Sequence, residues 1–527
     1  MNDTYKFCIL AAGEGTRNNS FRGLHKALLP VNNRPVISII IDKVPKTVPI
    51  VVALGHKGEQ VKTYLQNVYP NRIFEFIDVE NYSGPGSGPG LSLLKCESAM
   101  QCPFIFTSAD TIIDDDFQFL TVDKNWVGVS QVSNTESHEY CLVKINGELV
   151  EEYFYGNNQN AYAFTGIAGV LDYEDFWKGL RQKNVIKREH QVLDGLRFLT
   201  NTHKFNMSWF DTGNVRAYTR TKSYYPNNLA VEKDNEAIFV DNGYVIKYFE
   251  DPSRAQRRVE RSAALSGITP PVTKINENMY SYPYVEGRCL SNVYDETILY
   301  NFLNNYHQKF RHDTYTKNNI FLDNCKKMYQ DKTRERVKVF HGTELDNIKV
   351  INGVVVRPID ELLDELDWAS IYEKAIPSKF HGDLQPENLL VLPGGGYLYI
   401  DWRESFGEDL TVGDAYYDLG KLYHALVISN NLILSGAYEV SKTVDQAEIK
   451  YTLKNNLYQF LEILKDFCAR WEYEYEHVQL LGVLNYLNIA SLYGKFEDGK
   501  YQEFLFLLGK KLLVQYLEGC NGNKRVG

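Results

Sequence analysis

"YKFCILAAGEGTRNNSFRGLHKALLP", residues 5–30, decides how the first part of this chain folds. Its opening run, residues 5–12, is apolar almost throughout and stops at Gly13 and Gly15, as a strand buried on both faces does. "VPIVVALG" (48–55) and "CPFIFTSAD" (102–110) repeat the pattern, with helical stretches such as "KGEQVKTYLQNVY" (57–69) between them. Strand and helix alternate, which predicts a doubly wound, Rossmann-like α/β domain over residues 1–225.

The turn-rich "PNN" (226–228) is the candidate boundary. Beyond it the texture changes. "EAIFVDNGYVIKYFE" (236–250) reads as two strands around Asn-Gly, a strong hairpin signal, and a helix over "SRAQRRVERSAAL" (253–265) follows. These residues, with "MYSYPYVEG" (279–287), make a small β-rich lobe over 226–290. A larger helical lobe, rich in Leu and Tyr, covers 291–527, so the second half is α+β.

At 527 residues the chain is long enough for two or three cores. Apolar content of 44% and charged content of 24% are those of a folded globular protein. A net charge of −10 argues against a nucleic-acid partner, since neutralising phosphates needs a basic face. The start lacks the pattern of a secretory signal, and no window reaches the ~20 apolar residues of a membrane span. Eight scattered cysteines without CxxC spacing fit reduced thiols, and together these features predict a cytoplasmic protein. An oligomer is left open.

In the opening stretch, the glycines after the strand let backbone N–H groups approach phosphate oxygens, with Ala11, Ala12, Gly13 and Gly15 forming the turn. Arg17 can fork onto a phosphate, and Lys26 supplies a point charge. The order strand, AAGxGTR, Lys, LLP resembles the sugar-phosphate nucleotidylyltransferase family over about the first 225 residues. The resemblance implies that Gly86, Ser87 and Gly88 in "GPGSGPGLSLL" (84–94) contact the nucleoside. It also implies that Asp110 in "SADT" (108–111) and Asp211 in "WFDTGN" (209–214) hold Mg²⁺, and that "FTGIAGVLD" (164–172) lies on the substrate side. The family's Glu-Lys-Pro segment has no lysine here, so the acceptor phosphate needs another cation; Lys144 and Arg188 are candidates.

The second half contains "HGDLQPENLLVLPGGGYLYIDW" (381–402). Phosphoryl transfer from ATP needs a carboxylate beside the acceptor hydroxyl and oxygen ligands for Mg²⁺, and a loop Asp, an Asn and a strand-end Asp meet that need. The glycine run is then only a hairpin turn. The order resembles the aminoglycoside phosphotransferase and choline kinase family, a protein-kinase-like bilobal fold, over roughly 229–527. That resemblance implies Asp383 as catalytic base, Asn388 and Asp401 as Mg²⁺ ligands, and His381 as structural. It further implies Lys247 on the ATP phosphates, Glu260 as its ion-pair partner, and the segment around Tyr284 as the adenine hinge. The usual Gly-rich loop before the lysine strand is not evident. Asp414 and Asp418 are expected to brace the catalytic loop. Arg403, directly after "IDW", suits an anionic or polyhydroxyl acceptor better than a quaternary ammonium.

Both resemblances together imply a bifunctional enzyme. One half phosphorylates a small sugar- or polyol-type alcohol with ATP. The other joins the phosphate to a nucleotidyl group from a second NTP (CTP, UTP or GTP), giving an NDP-activated donor for cell-surface polysaccharide. The alternatives are a choline or amino-alcohol kinase with a CTP:phosphocholine cytidylyltransferase, or a chain in which one domain is a non-catalytic regulatory module.

Overall fold

The apolar run at Lys6–Ala11 is a central strand, and its side chains alternate between two cores. Phe7, Ile9 and Ala11 enter one apolar cluster, while Cys8, Leu10 and Ala12 enter the other. With both faces covered, neither parity of the strand can be polar, so the run reads as unbroken hydrophobics. The computed structural model describes all residues except 1–4, 19–22, 116–121, 134, 157–161, 183–184, 187–188, 226–234, 294, 312–313, 429–431, 433–434, 453–454, 495 and 525–527. The candidate boundary at 226–228 and Arg188 therefore lie outside the described residues.

This strand belongs to a nine-stranded mixed sheet. Phe74–Asp78, Ile50–Leu54, Lys6–Ala11 and Phe104–Ser108 run parallel in that spatial order. Tyr162–Val170 then joins Phe104–Ser108 antiparallel, and Trp126–Gln131, His203–Asn206, Leu149–Phe154 and Leu142–Asn146 continue the sheet. From Lys6–Ala11 the chain first builds to one side and then crosses to the other, which puts a topological switch point between Lys6–Ala11 and Phe104–Ser108. In open α/β sheets, ligands bind outside the carboxyl ends of the strands at such a point. Gly13–Arg17 follow the first of these strands and Asp110 follows the second.

The chain groups into two compact units: Met1–Ala255 with Thr273–Tyr284, and Gln256–Val272 with Val285–Gly527. This division runs through the 226–290 segment. The four-stranded sheet of Glu236–Asp241, Tyr244–Phe249, Met279–Pro283 and Thr273–Lys274 falls in the first unit. Its Phe239, Ile246, Tyr248 and Met279 share the apolar cluster of Phe7 and Ile9. Buried Asp241 accepts hydrogen bonds from Tyr64 Oη (2.8 Å) and Tyr69 Oη (2.9 Å) and pairs with Arg34 Nη2 (2.8 Å). The Asn242–Gly243 turn has φ of 43° and 80°, both in the left-handed region, as its dipeptide predicts.

The second unit is mainly helical, with Glu296–Phe310, Ala415–Val427, Asn455–Arg470, Tyr475–Ala490 and Lys500–Lys524 as its longer helices. Leu389–Val391 and Tyr397–Tyr399 form an antiparallel hairpin turned by Gly395 and Gly396, at φ 83° and 91°. The glycine run is thus a turn, as read from the sequence. Among the described residues, no helix is long and apolar enough to cross a membrane.

Candidate active sites

In the first unit, Lys26 Nζ donates to Asp110 Oδ2 at 2.9 Å. Gly15, at φ 66°, lies where a Cβ would stand 3.1 Å from Lys26 Cβ, so the glycine leaves room for the lysine stem to cross the turn. His25, missed in the sequence, fixes this geometry: its Nδ1 accepts from Ala27 N, and Nε2 lies 3.0 Å from Ala11 O. Burial, helped by Lys26, pushes the His25 pKa down to about 3, so the ring stays neutral.

Asp110 and Asp211 converge. A Cβ at Gly213 would lie 3.1 Å from Asp110 Oδ2 and 3.0 Å from Asp211 Oδ1. Two buried carboxylates this close repel each other. Burial first, and Asp110 second, raise the Asp211 pKa to about 6. Burial also acts to raise Asp110, but Lys26 outweighs it and, with Arg17, holds that carboxyl below its ordinary range. Arg17 is exposed and reaches the pair through its field. Tyr140 Oη donates to Asp211 Oδ2 (3.1 Å), and the Tyr140 ring packs edge-on against Trp209. Trp209 in turn lines a cavity of about 450 Å³ with Ser130, Gln131, Glu136, Arg220 and Tyr224.

Gly86 (φ 87°) and Gly88 (φ 125°) shape the second glycine loop, and Ser87 Oγ donates to Gly84 O at 2.7 Å. His190 N donates to Ser87 O, closing the loop against His190. A Cβ at Gly88 would stand 2.8 Å from His190 O, so only glycine fits there. Lys144 pairs with Glu151 (3.1 Å) on an exposed face.

In the second unit, Asp383 Oδ1 accepts from Gln385 Nε2 (2.9 Å) and lies 3.4 Å from Lys421 Nζ; Oδ2 accepts from Asn388 Nδ2 (3.1 Å). Burial acts to raise the Asp383 pKa, but Lys421 overrides it and keeps the carboxylate ionised. Asp401 sits at φ 57°, an uncommon conformation for a non-glycine residue, and its Oδ1 receives Arg258 Nη1 at 2.6 Å. His381 bridges Ile400 O through Nε2 and accepts from Asp383 N through Nδ1, and burial lowers its pKa to about 4. It is a structural histidine, as expected.

Asp418 braces the loop by accepting from His381 N and Gly382 N, both at 2.6 Å. Arg261, fully buried, donates to the carbonyls of Phe380, His381 and Arg403 and stacks on the Phe380 ring. Asp414 accepts from Ile376 N, Tyr416 N and Tyr329 Oη, capping the helix Ala415–Val427.

Three expected nucleotide contacts stand differently. Glu260 lies on the exposed face of its helix, where it accepts from Gln256 Nε2 (2.6 Å). The buried charges of that helix are Arg258 and Arg261, because the 100° step per residue turns 258 and 261 inward and 260 outward. Lys247 is buried on Tyr244–Phe249 in the first unit. Tyr284 is exposed, and its N–H is taken by Gly243 O at 2.8 Å.

Among the described residues no group of three or more His, Cys, Asp or Glu gathers as a metal cage. Mg²⁺ needs only one or two carboxylates when substrate phosphates and water complete its shell. Both centres fit that demand. Each has hard oxygen donors, Asp110 with Asp211 and Asn388 with Asp401. In each, a side-chain cation, Lys26 or Arg258, already sits on one carboxylate.

Comparisons with known proteins assign a transferase family to part of each half of the chain. Residues 7–117 match the MobA-like NTP transferase domain, and residues 356–438 match the phosphotransferase enzyme family. The bifunctional protein GlmU of Methanococcus aeolicus is 24% identical over 218 residues, 39% of this chain and 50% of that protein. GlmU of Methanococcus vannielii is 26% identical over 243 residues, 42% of this chain and 55% of that protein. The chain thus spans about half the length of the curated relatives it matches. A solved UDP-glucose pyrophosphorylase with bound UDP-glucose is 18% identical, covering 42% of this chain and 98% of its own at a TM-score of 0.35, too distant to bear on the substrate. The chain carries an NTP transferase domain followed by a phosphotransferase-family domain, a nucleotidyltransferase- and kinase-type pair.

Proposed function

We propose that the two domains catalyse consecutive steps. The second phosphorylates a small alcohol of the sugar or polyol type with ATP. The first transfers a nucleotidyl group from CTP, UTP or GTP to that phosphate, releasing pyrophosphate and leaving an NDP-activated donor for cell-surface polysaccharide. One observation carries the reading: each unit holds two ionisable carboxylates and a cation around one point, in a chain with two transferase families. Fusion suits consecutive chemistry, since a tether raises the local concentration of the intermediate.

At the first centre, Lys26, Arg17 and the amides of the Gly13–Gly15 turn neutralise charge on the transferring phosphoryl group. No covalent nucleophile is required, because the acceptor phosphate attacks directly. The cavity beside Trp209 offers serines, Gln131 and aromatic rings to the acceptor's remaining surface. At the second centre, the ionised Asp383 takes the acceptor's hydroxyl proton, a role that its lowered pKa supports. Mg²⁺, held by Asp110 and Asp211 in one unit and by Asn388 and Asp401 in the other, would supply charge stabilisation for the departing phosphates.

The test is a pair of variants assayed separately. Asp383→Ala is expected to cut ADP formation by about 10²–10⁴-fold and spare pyrophosphate release from NTP and a supplied sugar phosphate. Asp110→Ala should do the reverse. If Asp110→Ala leaves pyrophosphate release intact, the first assignment fails. Mass spectrometry of incubations with each NTP and an alcohol panel identifies both products.

A further inference from the structure

Four basic side chains of the second unit stand beside Asp383, Gly382, Tyr417 and Asn488. Lys421 Nζ lies 3.4 Å from Asp383 Oδ1. The Arg403 stem packs against the catalytic loop, where a Cβ at Gly382 would stand 2.5 Å from Arg403 Cβ. Lys332 Nζ lies 3.5 Å from Tyr417 Oη and 5.8 Å from the centre of that ring. Arg336, one helical turn after Lys332, donates from Nη1 to Asn488 O at 2.8 Å.

These cations feel one another. After burial, the groups that hold the Lys332 pKa far below its ordinary value are Arg403, Lys421 and Arg336, with Asp383 opposing them. Arg336 is lowered likewise, by burial and then by Arg403. Four cations therefore share a partly desolvated place with two carboxylates, Asp383 and Glu404, and Glu404 is already shared with Arg258 at 3.6 Å. Like charges held together away from water are unfavourable unless an anion joins them. Beside them, buried His424 has both ring nitrogens unpartnered, and buried Asn488 has a free Oδ1. Asp401, by contrast, already has Arg258. The surplus positive charge thus lies beside the proton-accepting group, where the acceptor must lie.

We infer that the alcohol phosphorylated by this chain is an anion, a hydroxy compound whose carboxylate or phosphate sits among Lys332, Arg336 and Arg403. This rests on the phosphotransfer reading above and names its substrate class. The acceptor hydroxyl oxygen forms a bond to the γ-phosphorus of ATP, the bond from that phosphorus to the β–γ bridging oxygen breaks, ADP leaves, and the hydroxyl proton passes to Asp383. A quaternary ammonium would bring a fifth positive charge into the cluster, so choline is disfavoured.

The full chain is assayed with ATP and matched pairs, glycerate against glycerol and gluconate against glucose, together with glycerol 3-phosphate and choline. The anionic member of a pair should be used at least about 10²-fold more efficiently, and the carboxylate and phosphate arms identify which anion is taken. Lys332→Met and Arg336→Gln should each raise the KM for that acceptor about 10- to 100-fold and leave the KM for ATP within about twofold, with Arg336→Lys partly restoring it. Preference for a neutral alcohol or choline overturns the inference. So does a rise confined to the KM for ATP. Thermal stabilisation by glycerate and by inorganic phosphate without ATP gives an independent readout. Stabilisation that Arg336→Gln abolishes, without phosphorylation of any acceptor, would sink the phosphotransfer reading and keep the anion site. If no anion is turned over and none stabilises the protein, the inference itself fails, while Asp383→Ala still judges the reaction.

Discussion

Lys26 and Asp110 meet at the ends of neighbouring parallel strands, whereas Asp383 hangs in a loop whose bends are tied by buried charges. In the first unit, backbone topology does most of the placing. The sheet delivers the Gly13–Gly15 turn and Asp110 to one edge, and glycine supplies the space. In the second, Asp418 and Arg261 hold the loop through its own amides and carbonyls. A strand-end site needs few buried ions; a loop site of this kind depends on them, and each costs desolvation.

The sharpest way to break this contrast is Arg261→Met. It leaves the carbonyls of Phe380, His381 and Arg403 without their donor, and a loss of about 3–5 kcal/mol is expected for removing one partner of a buried charged network. Calorimetry should show the loss in the transition of the second unit, with phosphotransfer abolished and nucleotidyl transfer retained. Equal loss of both activities would mean that the two centres do not differ in this way.

Next in size is a pH effect. Burial raises the Asp414 pKa to about 6, above its unfolded value near 3.9. Between those values the folded chain binds the extra proton, so stability falls as pH rises from about 4 to about 6. The full effect is on the order of 3 kcal/mol for this fully buried group. Asp414→Asn retains a capping oxygen for Ile376 N and Tyr416 N and should flatten that decline, as read from urea midpoints across the range. An unchanged slope would show that other groups set it.

The smallest expected effect tests the first centre. Gly15→Ala adds a Cβ at φ 66° against the Lys26 stem, at a cost of about 1 kcal/mol in folding. Because Lys26 must then shift, nucleotidyl transfer should fall by about tenfold with phosphotransfer unaffected. A full-rate Gly15→Ala enzyme would detach Lys26 from the chemistry.

Much of this was legible in the sequence. The unbroken apolar runs announced strands covered on both faces, and Asn242–Gly243 and Gly395–Gly396 announced their turns, because these signals are local. The carboxylates of both centres could be named from motif order. Their neighbours could not. Arg258 rather than Glu260 turns inward because helix phase against a packed core decides which residue of a charged helix is buried. Lys332, Arg336, Arg403 and Lys421 come from three separated segments, and nothing in their local sequence distinguishes them from solvated surface charges. Reading 226–290 as a kinase-like lobe also left unread that its strands share a core with the first unit. By itself, the sequence determined which segments are strands and where they turn, and it nominated the carboxylates proposed for the chemistry, since backbone preference and side-chain type are written residue by residue. Only the tertiary structure decided which cations face those carboxylates and how their charges are held, because desolvation and Coulomb energy depend on distances that chain order does not contain.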